Sequence, residues 1–168
     1  TSSDGAAYVG DTVSLAGTAV ASFNDKNVLD ATTVTFSGLS LTGAHASNYQ
    51  IADISTNANV LQRSLVLSYA GVDKVYDGSA NASVTVSDNR ISGDAVTVSQ
   101  AAVFAAGADV GSNKIISVSG IALSGSDASN YSLPSTTGQT SANITPKALT
   151  VSGLTSSNKV YDGTTTAS

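Results

Sequence analysis

The sequence has no cysteine, methionine, tryptophan or glutamate, and only two prolines and three phenylalanines among 168 residues. Each gap excludes something. Without cysteine there are neither disulfide staples nor thiol chemistry, which leaves the redox compartment open. Without glutamate, and with few lysines and arginines, good helix formers are scarce, while β-branched valine, threonine and isoleucine are plentiful, so strands are favoured. Only seven basic residues are present, scattered along a chain of net charge −5, so the clustered basic face that nucleic-acid binding needs is missing. No apolar run approaches the roughly 18 residues of a membrane span. No charged-then-apolar leader opens the chain, so any targeting signal is expected outside these residues. The hydrophobic share, 41%, is too high and the net charge too small for a disordered tail; a lean core is expected.

What is present repeats. Tyr76-Asp77-Gly78 recurs 85 residues on as Tyr161-Asp162-Gly163. "SGLSLTGAHASNY" (37–49) recurs 82 residues on as "SGIALSGSDASNY" (119–131), and Gly10-Asp11 recurs 83 residues on as Gly93-Asp94. In this register Ser168 matches Ser83 and Thr1 matches Val84, so the chain is expected to tile onto itself. Pro146 lacks an N–H and punctuates strands, which places repeat boundaries before Arg63 and Lys147. Residues 1–62 then form a repeat lacking its first strand and Tyr-Asp-Gly turn. Residues 63–146 form a complete repeat, and 147–168 begin a third.

Within the complete repeat, "SLVLSY", "ASVTVS", "DAVTVS", "KIISVSGIAL" and "TSANIT" alternate apolar and polar residues and are separated by Gly, Asn, Asp and Ser, which predicts half-buried strands. Six to eight short strands in roughly 80 residues predict tandem antiparallel β-sandwich modules of immunoglobulin-like type. The alternative is a β-grasp-like module with one short helix over 99–108; the counterpart "AGTAVASF" is poorer in helix formers, which favours a strand there. A module of this size has a marginal core, which tandem neighbours would support.

The most distinctive phrase is Lys74-x-Tyr76-Asp77-Gly78, with its second occurrence at Lys159, Tyr161, Asp162 and Gly163. Asp-Gly is tight-turn chemistry, and the tyrosine ring is expected on the core edge with its hydroxyl on a backbone partner or water. Asn48-Tyr49 and Asn130-Tyr131 read as turn residues followed by a strand-entering tyrosine. His45, the only histidine, is replaced by Asp127 in the other copy and reads as an exposed loop residue, so no role requiring imidazole belongs to the repeat.

Catalysis is not expected: no GxSxG, HExxH, CxxC or P-loop occurs, and a Ser–His–Asp arrangement would depend on His45. No cofactor is expected. Loop aspartates could serve as calcium ligands, but Asp73, Asp77, Asp88, Asp94 and Asp109 are spaced singly rather than as DxDxD, so calcium is only a weak candidate. Lys74 and Lys114 are the only lysines inside the complete module that an intramolecular amide crosslink could use, and Lys114 has no clear counterpart in the first copy, where Thr32 falls at that offset. Asn81, Asn130 and Asn143 lie in N-x-[ST] triplets, a number expected by chance in so Asn-, Ser- and Thr-rich a chain.

The phrases "DKVYDG", "GDAVTVS", "ADVGSNKIISVSGIALSGSDASNYSL" and "SANITPKALTV" together resemble the YDG-type repeat, related to MBG repeats, found in tandem in very large secreted bacterial adhesins of the filamentous-haemagglutinin kind. The resemblance covers essentially the whole chain. The first copy departs from it, with "DKNVLDATTVTFSG" where the second has "ADVGSNKIISVSG". The resemblance implies a surface-exposed or secreted stalk of many β-modules, exported by an outer-membrane partner and serving adhesion, aggregation or biofilm matrix, with no catalytic residues. The leading expectation is therefore an extracellular structural stalk or fibre whose partners are neighbouring repeats, without nucleic acid or membrane insertion. Two alternatives are a repeat that itself binds glycan or host protein and a donor-strand-linked filament subunit.

Overall fold

The chain is described over residues 5–166 by a computed structural model, so the expected match of Ser168 to Thr1 lies outside the described residues. The strands are β1 (Ser14–Phe23), β2 (Thr33–Thr42), β3 (Ile54–Asn57), β4 (Arg63–Ser64), β5 (Leu67–Val72), β6 (Lys74–Val75), β7 (Ser83–Asp88), β8 (Thr97–Phe104), β9 (Gly111–Ser124), β10 (Tyr131–Ser132) and β11 (Gly138–Thr145). Single 3-10 turns span Ala46–Asn48 and Ala128–Asn130. The fold is all-β, as the composition predicts. The chain divides into two compact units.

One unit holds the chain up to Ser68 with Ser87–Ala101 and Ser119–Thr137. Its β1, β2 and β3 form an antiparallel sheet in that order, with Ser14 opposite Thr42 and Phe23 opposite Val34. A bulge between Gly17 and Val20 absorbs a local insertion: the offset between copies falls from 83 at Leu15 and Val98 to 81 at Phe23 and Phe104. Farther along, β4 pairs in parallel with β10, Arg63 opposite Tyr131. Leu65, Val96 and Tyr131 are buried together, with Leu67, Val98 and Leu123 packed around them.

The other unit holds Tyr69–Val86, Ala102–Val118 and the chain from Gly138 onward. Here β11 lies antiparallel to β9, with Gly138 opposite Val118, and parallel to β6, with Ile144 opposite Lys74. Phe104, Ile116, Val118, Ala142 and Ile144 are its buried side chains. Alternation does the sorting: β7 turns Val84 and Val86 inward, and β11 buries Ala142 and Ile144. In β9 the buried phase slips by one residue at Ser119-Gly120, so Ile116 and Val118 point one way and Ile121 and Leu123 the other.

Two findings refine the antiparallel expectation. The pairings β4–β10 and β6–β11 are parallel, each only two residues long; β6 covers the β11 edge of a longer sheet, whereas β4 and β10 form a two-stranded sheet of their own. Residues 99–108 start in strand β8 rather than in a helix. The segment from Lys147 onward, expected to form strand, joins no ladder among the described residues. Its apolar side chains, including Leu149, Val151, Leu154 and Val160, are exposed, and strand propensity without a packing partner does not hold a strand.

Candidate functional sites: a lysine bracket and an aspartate–tyrosine clasp

The phrase Lys-x-Tyr-Asp-Gly folds into a bracket around one ammonium group. Lys74 Nζ donates to Asp77 Oδ1 at 2.8 Å, to the Ser79 carbonyl at 2.7 Å and to the Asn81 carbonyl at 2.9 Å. The Ser79 N–H donates to the same Asp77 oxygen at 2.9 Å, and Gly78 takes the positive φ of 79° that the reversal requires. The Lys74 ammonium, helped by the Ser79 N–H, holds the Asp77 carboxyl at about 2. Lys74 also lies 5.7 Å from the centre of the buried Phe104 ring, so the bracket is anchored to the core of its unit.

The second occurrence folds alike although no strand flanks it. Lys159 Nζ donates to Asp162 Oδ1 at 2.8 Å and to the Thr164 carbonyl at 2.9 Å, and the Thr164 N–H returns to Asp162 Oδ1 at 3.0 Å. Gly163 has φ 73°. Lys159 and then the Thr164 N–H hold Asp162 below the usual carboxylate range. The shared part of the bracket is thus encoded locally, in six residues, 74–79 and 159–164.

The tyrosines of this phrase do not pack where the sequence suggests. The Tyr76 N–H donates to the Thr145 carbonyl at 2.8 Å, but its ring is 40% exposed, and the Tyr161 ring is 93% exposed. The physical reason is that β6 ends at Val75, leaving Tyr76 beyond the ladder. It borders, with Val110, Pro146, Lys147 and Leu149, a cavity of about 360 Å³.

A different tyrosine carries the second motif. The Tyr131 ring is buried; its hydroxyl donates to Asp94 Oδ2 at 2.6 Å and accepts the Ile91 N–H at 2.9 Å. In the first copy the Tyr49 hydroxyl donates to Asp11 Oδ2 at 2.6 Å and accepts the Tyr8 N–H at 2.9 Å. In each case the aspartate that accepts the hydroxyl proton raises the tyrosine pKa above its ordinary value. Beside the clasp, Asp127 Oδ2 accepts the Ala95 N–H and His45 Nδ1 accepts the Thr12 N–H, both at 2.9 Å. What the two copies share at this position is therefore an acceptor, not an imidazole. Sequence reasoning found Gly-Asp and Asn-Tyr separately and did not join them; the usable signal was that both doublets recur at nearly the same offset.

Asn130 does more than form a turn. Its Oδ1 accepts the Val28 N–H and its Nδ2 donates to Asn27 Oδ1, both at 2.9 Å. Lys26 reaches Asp127 at 3.3 Å, and Gln62 Nε2 donates to the Ser129 carbonyl at 2.9 Å. These bonds sew the 26–28 loop and Gln62 of the first copy to residues 127–130 of the second, beside a cavity of about 360 Å³ bordered by Leu61, Arg63 and Ile91. Ala95 N–H and then Lys26 keep Asp127 below the usual carboxylate range. The equivalent Asn48 closes its own turn through its N–H on the His45 carbonyl.

The remaining candidates have structural partners. Asp73 accepts from the Asn143 N–H and side-chain amide, and Asp88 binds Arg90. Lys114 donates to the Gly107 and Asp109 carbonyls. Tyr8 is exposed. Across both units, the recurring polar side chains tie backbone to backbone.

The fold and these two motifs define an all-β tandem-repeat protein. A model of the YDG domain matches residues 1–56, 62–138 and 145–168, and the chain belongs to this family. Searches of curated proteins and of solved structures found no match.

Proposed function

We propose that the chain is a stretch of an extracellular structural stalk, a non-catalytic spacer whose modules hold an adhesive or matrix surface away from the cell. The observation that carries this reading is the use made of the recurring residues. Lys74, Asp77, Asp94, Asn130 and Tyr131 spend their hydrogen bonds on the chain itself, and Asn130 spends them on the neighbouring copy. A surface rich in Ser, Thr and Asn, with few charges, suits an environment of variable salt. The domain boundaries before Arg63 and Lys147 belong to the same reading.

Small-angle scattering on arrays of two, four and eight modules tests it. A maximum dimension that grows in proportion to module number, by a few tens of ångströms each, supports a spacer; a dimension that rises only as a compact globule would refutes it. The glycan- or protein-binding reading rests on the exposed rings of Tyr8, Tyr76 and Tyr161, because the Tyr131 ring is buried and its hydroxyl, like that of Tyr49, is committed to aspartate. A glycan array probed with the same material decides that alternative.

A further inference from the structure

In the complete repeat an early strand and the last strand lie side by side and run the same way. β6 pairs in parallel with the end of β11, Lys74 opposite Ile144 and Val75 opposite Thr145. The chain continues before β6 and beyond β11, so tension along it pulls β6 backward and β11 forward. In a parallel pair those pulls oppose each other along one direction. The bonds between the strands are then loaded together in shear, instead of opening one after another. The other unit holds a pair of the same sense, β4 with β10, where the Leu65 N–H donates to the Ser132 carbonyl at 2.8 Å.

Side chains reinforce β6–β11, whose backbone pairing is so short. Asp73 Oδ1 accepts the Asn143 N–H at 2.7 Å, and Asp73 Oδ2 accepts from Asn143 Nδ2 at 2.9 Å. The Tyr76 N–H donates to the Thr145 carbonyl at 2.8 Å, and the Thr145 hydroxyl to the Lys74 carbonyl at 3.3 Å. A bulge makes the aspartate contact possible. In the β9–β11 ladder Ser112 and Asn113 together oppose Asn143, so the Asn143 N–H is turned from β9 towards Asp73. Asn143 Oδ1 meanwhile accepts the Asn113 N–H at 2.8 Å, with Asn113 in the left-handed region at φ 50°. One asparagine thereby ties the segment entering β6 to both β9 and β11. Downstream, the Lys74 bracket fastens β6 to the Ser79 and Asn81 carbonyls, so β6 is held on both sides. The Asn143 N–H, and then its side-chain amide, keep the Asp73 carboxyl below the usual carboxylate range, so the acceptor stays charged.

We propose that β6 and β11, with the Asp73–Asn143 bonds at their junction, form a tension-bearing clamp, the element whose rupture sets the force at which the repeat yields. The proposal deepens the stalk reading and rests on it. It assigns Asp73 and Asn143 a mechanical role distinct from a general contribution to stability, because their bonds cross the one pair in this unit that tension shears.

Forced unfolding is governed by a rate, so the full chain held by its two ends between marker domains of known unfolding force gives the readout. Asp73→Ala is expected to rupture at least about tenfold faster under the same load, the scale of losing hydrogen bonds to a charged acceptor. Lys114→Met gives up the bonds to the Gly107 and Asp109 carbonyls, which lie off the β6–β11 pair, and is expected to change the rate far less. Equal acceleration by the two substitutions, or none by Asp73→Ala, overturns the proposal. The absence of cysteine permits a second test that leaves the clamp residues intact. Tethers at Tyr76→Cys and Lys147→Cys pull the same ends of the two parallel strands apart, so the pair peels, and opening is expected at a lower force than in the end-to-end pull. Equal forces in the two directions overturn the proposal, and should Asp73→Ala fail to fold, this comparison decides alone. Force peaks indifferent to Asp73 and to pulling direction remove the clamp and leave the stalk reading standing; smooth extension without peaks removes both.

Discussion

The Tyr131 hydroxyl donates to the Asp94 carboxylate at 2.6 Å, and in the first copy Tyr49 makes the same bond to Asp11 at the same length. In both, the hydroxyl also accepts a backbone N–H three residues before the aspartate, so one side chain fixes a turn and a strand entry together.

Tyr131→Phe keeps the buried ring and removes both bonds, orphaning the Ile91 N–H. The midpoint of thermal unfolding is expected to fall by several degrees, and hydrogen exchange at the Ile91 amide to accelerate. An unchanged midpoint and unchanged exchange would show that the clasp is incidental.

Leu65→Ala empties the best-buried position of the first-described core and is expected to cost about 2–5 kcal/mol in chemical denaturation. Leu149→Ala, at the equivalent position in the next copy, is expected to change the stability of the dilute monomer by less than about 0.5 kcal/mol, because its side chain is exposed. Equal costs at the two positions would mean that Leu149 is buried in the isolated chain.

His45→Asp restores the acceptor that the second copy uses and is expected to preserve slow exchange at the Thr12 amide. His45→Ala leaves that N–H without its acceptor, and faster exchange at Thr12 is expected. If His45→Asp exchanges as fast as His45→Ala, the two side chains are not interchangeable.

Asp77 titrates at about 2 in the fold and near 4 in an unfolded chain, so its contribution to stability is complete above about pH 4 and is lost as pH falls towards 2. Asp73, Asp88, Asp127 and Asp162 are depressed in the same direction. Tyr49 and Tyr131 are shifted upward, so their contribution is present below about pH 10 and disappears as pH rises through their folded values. Stability is expected to be flat between these limits. Carboxyl NMR should find Asp77 moving back towards the ordinary range in Lys74→Met; no movement would separate the aspartate from the lysine.

Much of the fold was legible because alternation is direct: Val84 and Val86, Ile116 and Val118, and Ala142 and Ile144 all lie in strands and turn inward as their spacing predicts. The parallel pairs were not legible, since Arg63-Ser64 and Lys74-Val75 carry no periodic signal in two residues. The bracket around Lys74 was readable as a turn, but the lysine's three acceptors were not, because two are carbonyls and carry no residue signature. Tyr76 misled for a related reason: an aromatic ring suggests a core, yet here the strand stops one residue before it.

The most direct measurement is single-molecule extension of an array of complete modules. A tension-resisting spacer predicts evenly spaced unfolding peaks, each releasing roughly 25–30 nm as one module extends at up to about 3.6 Å per residue. Smooth extension without peaks would contradict the stalk reading.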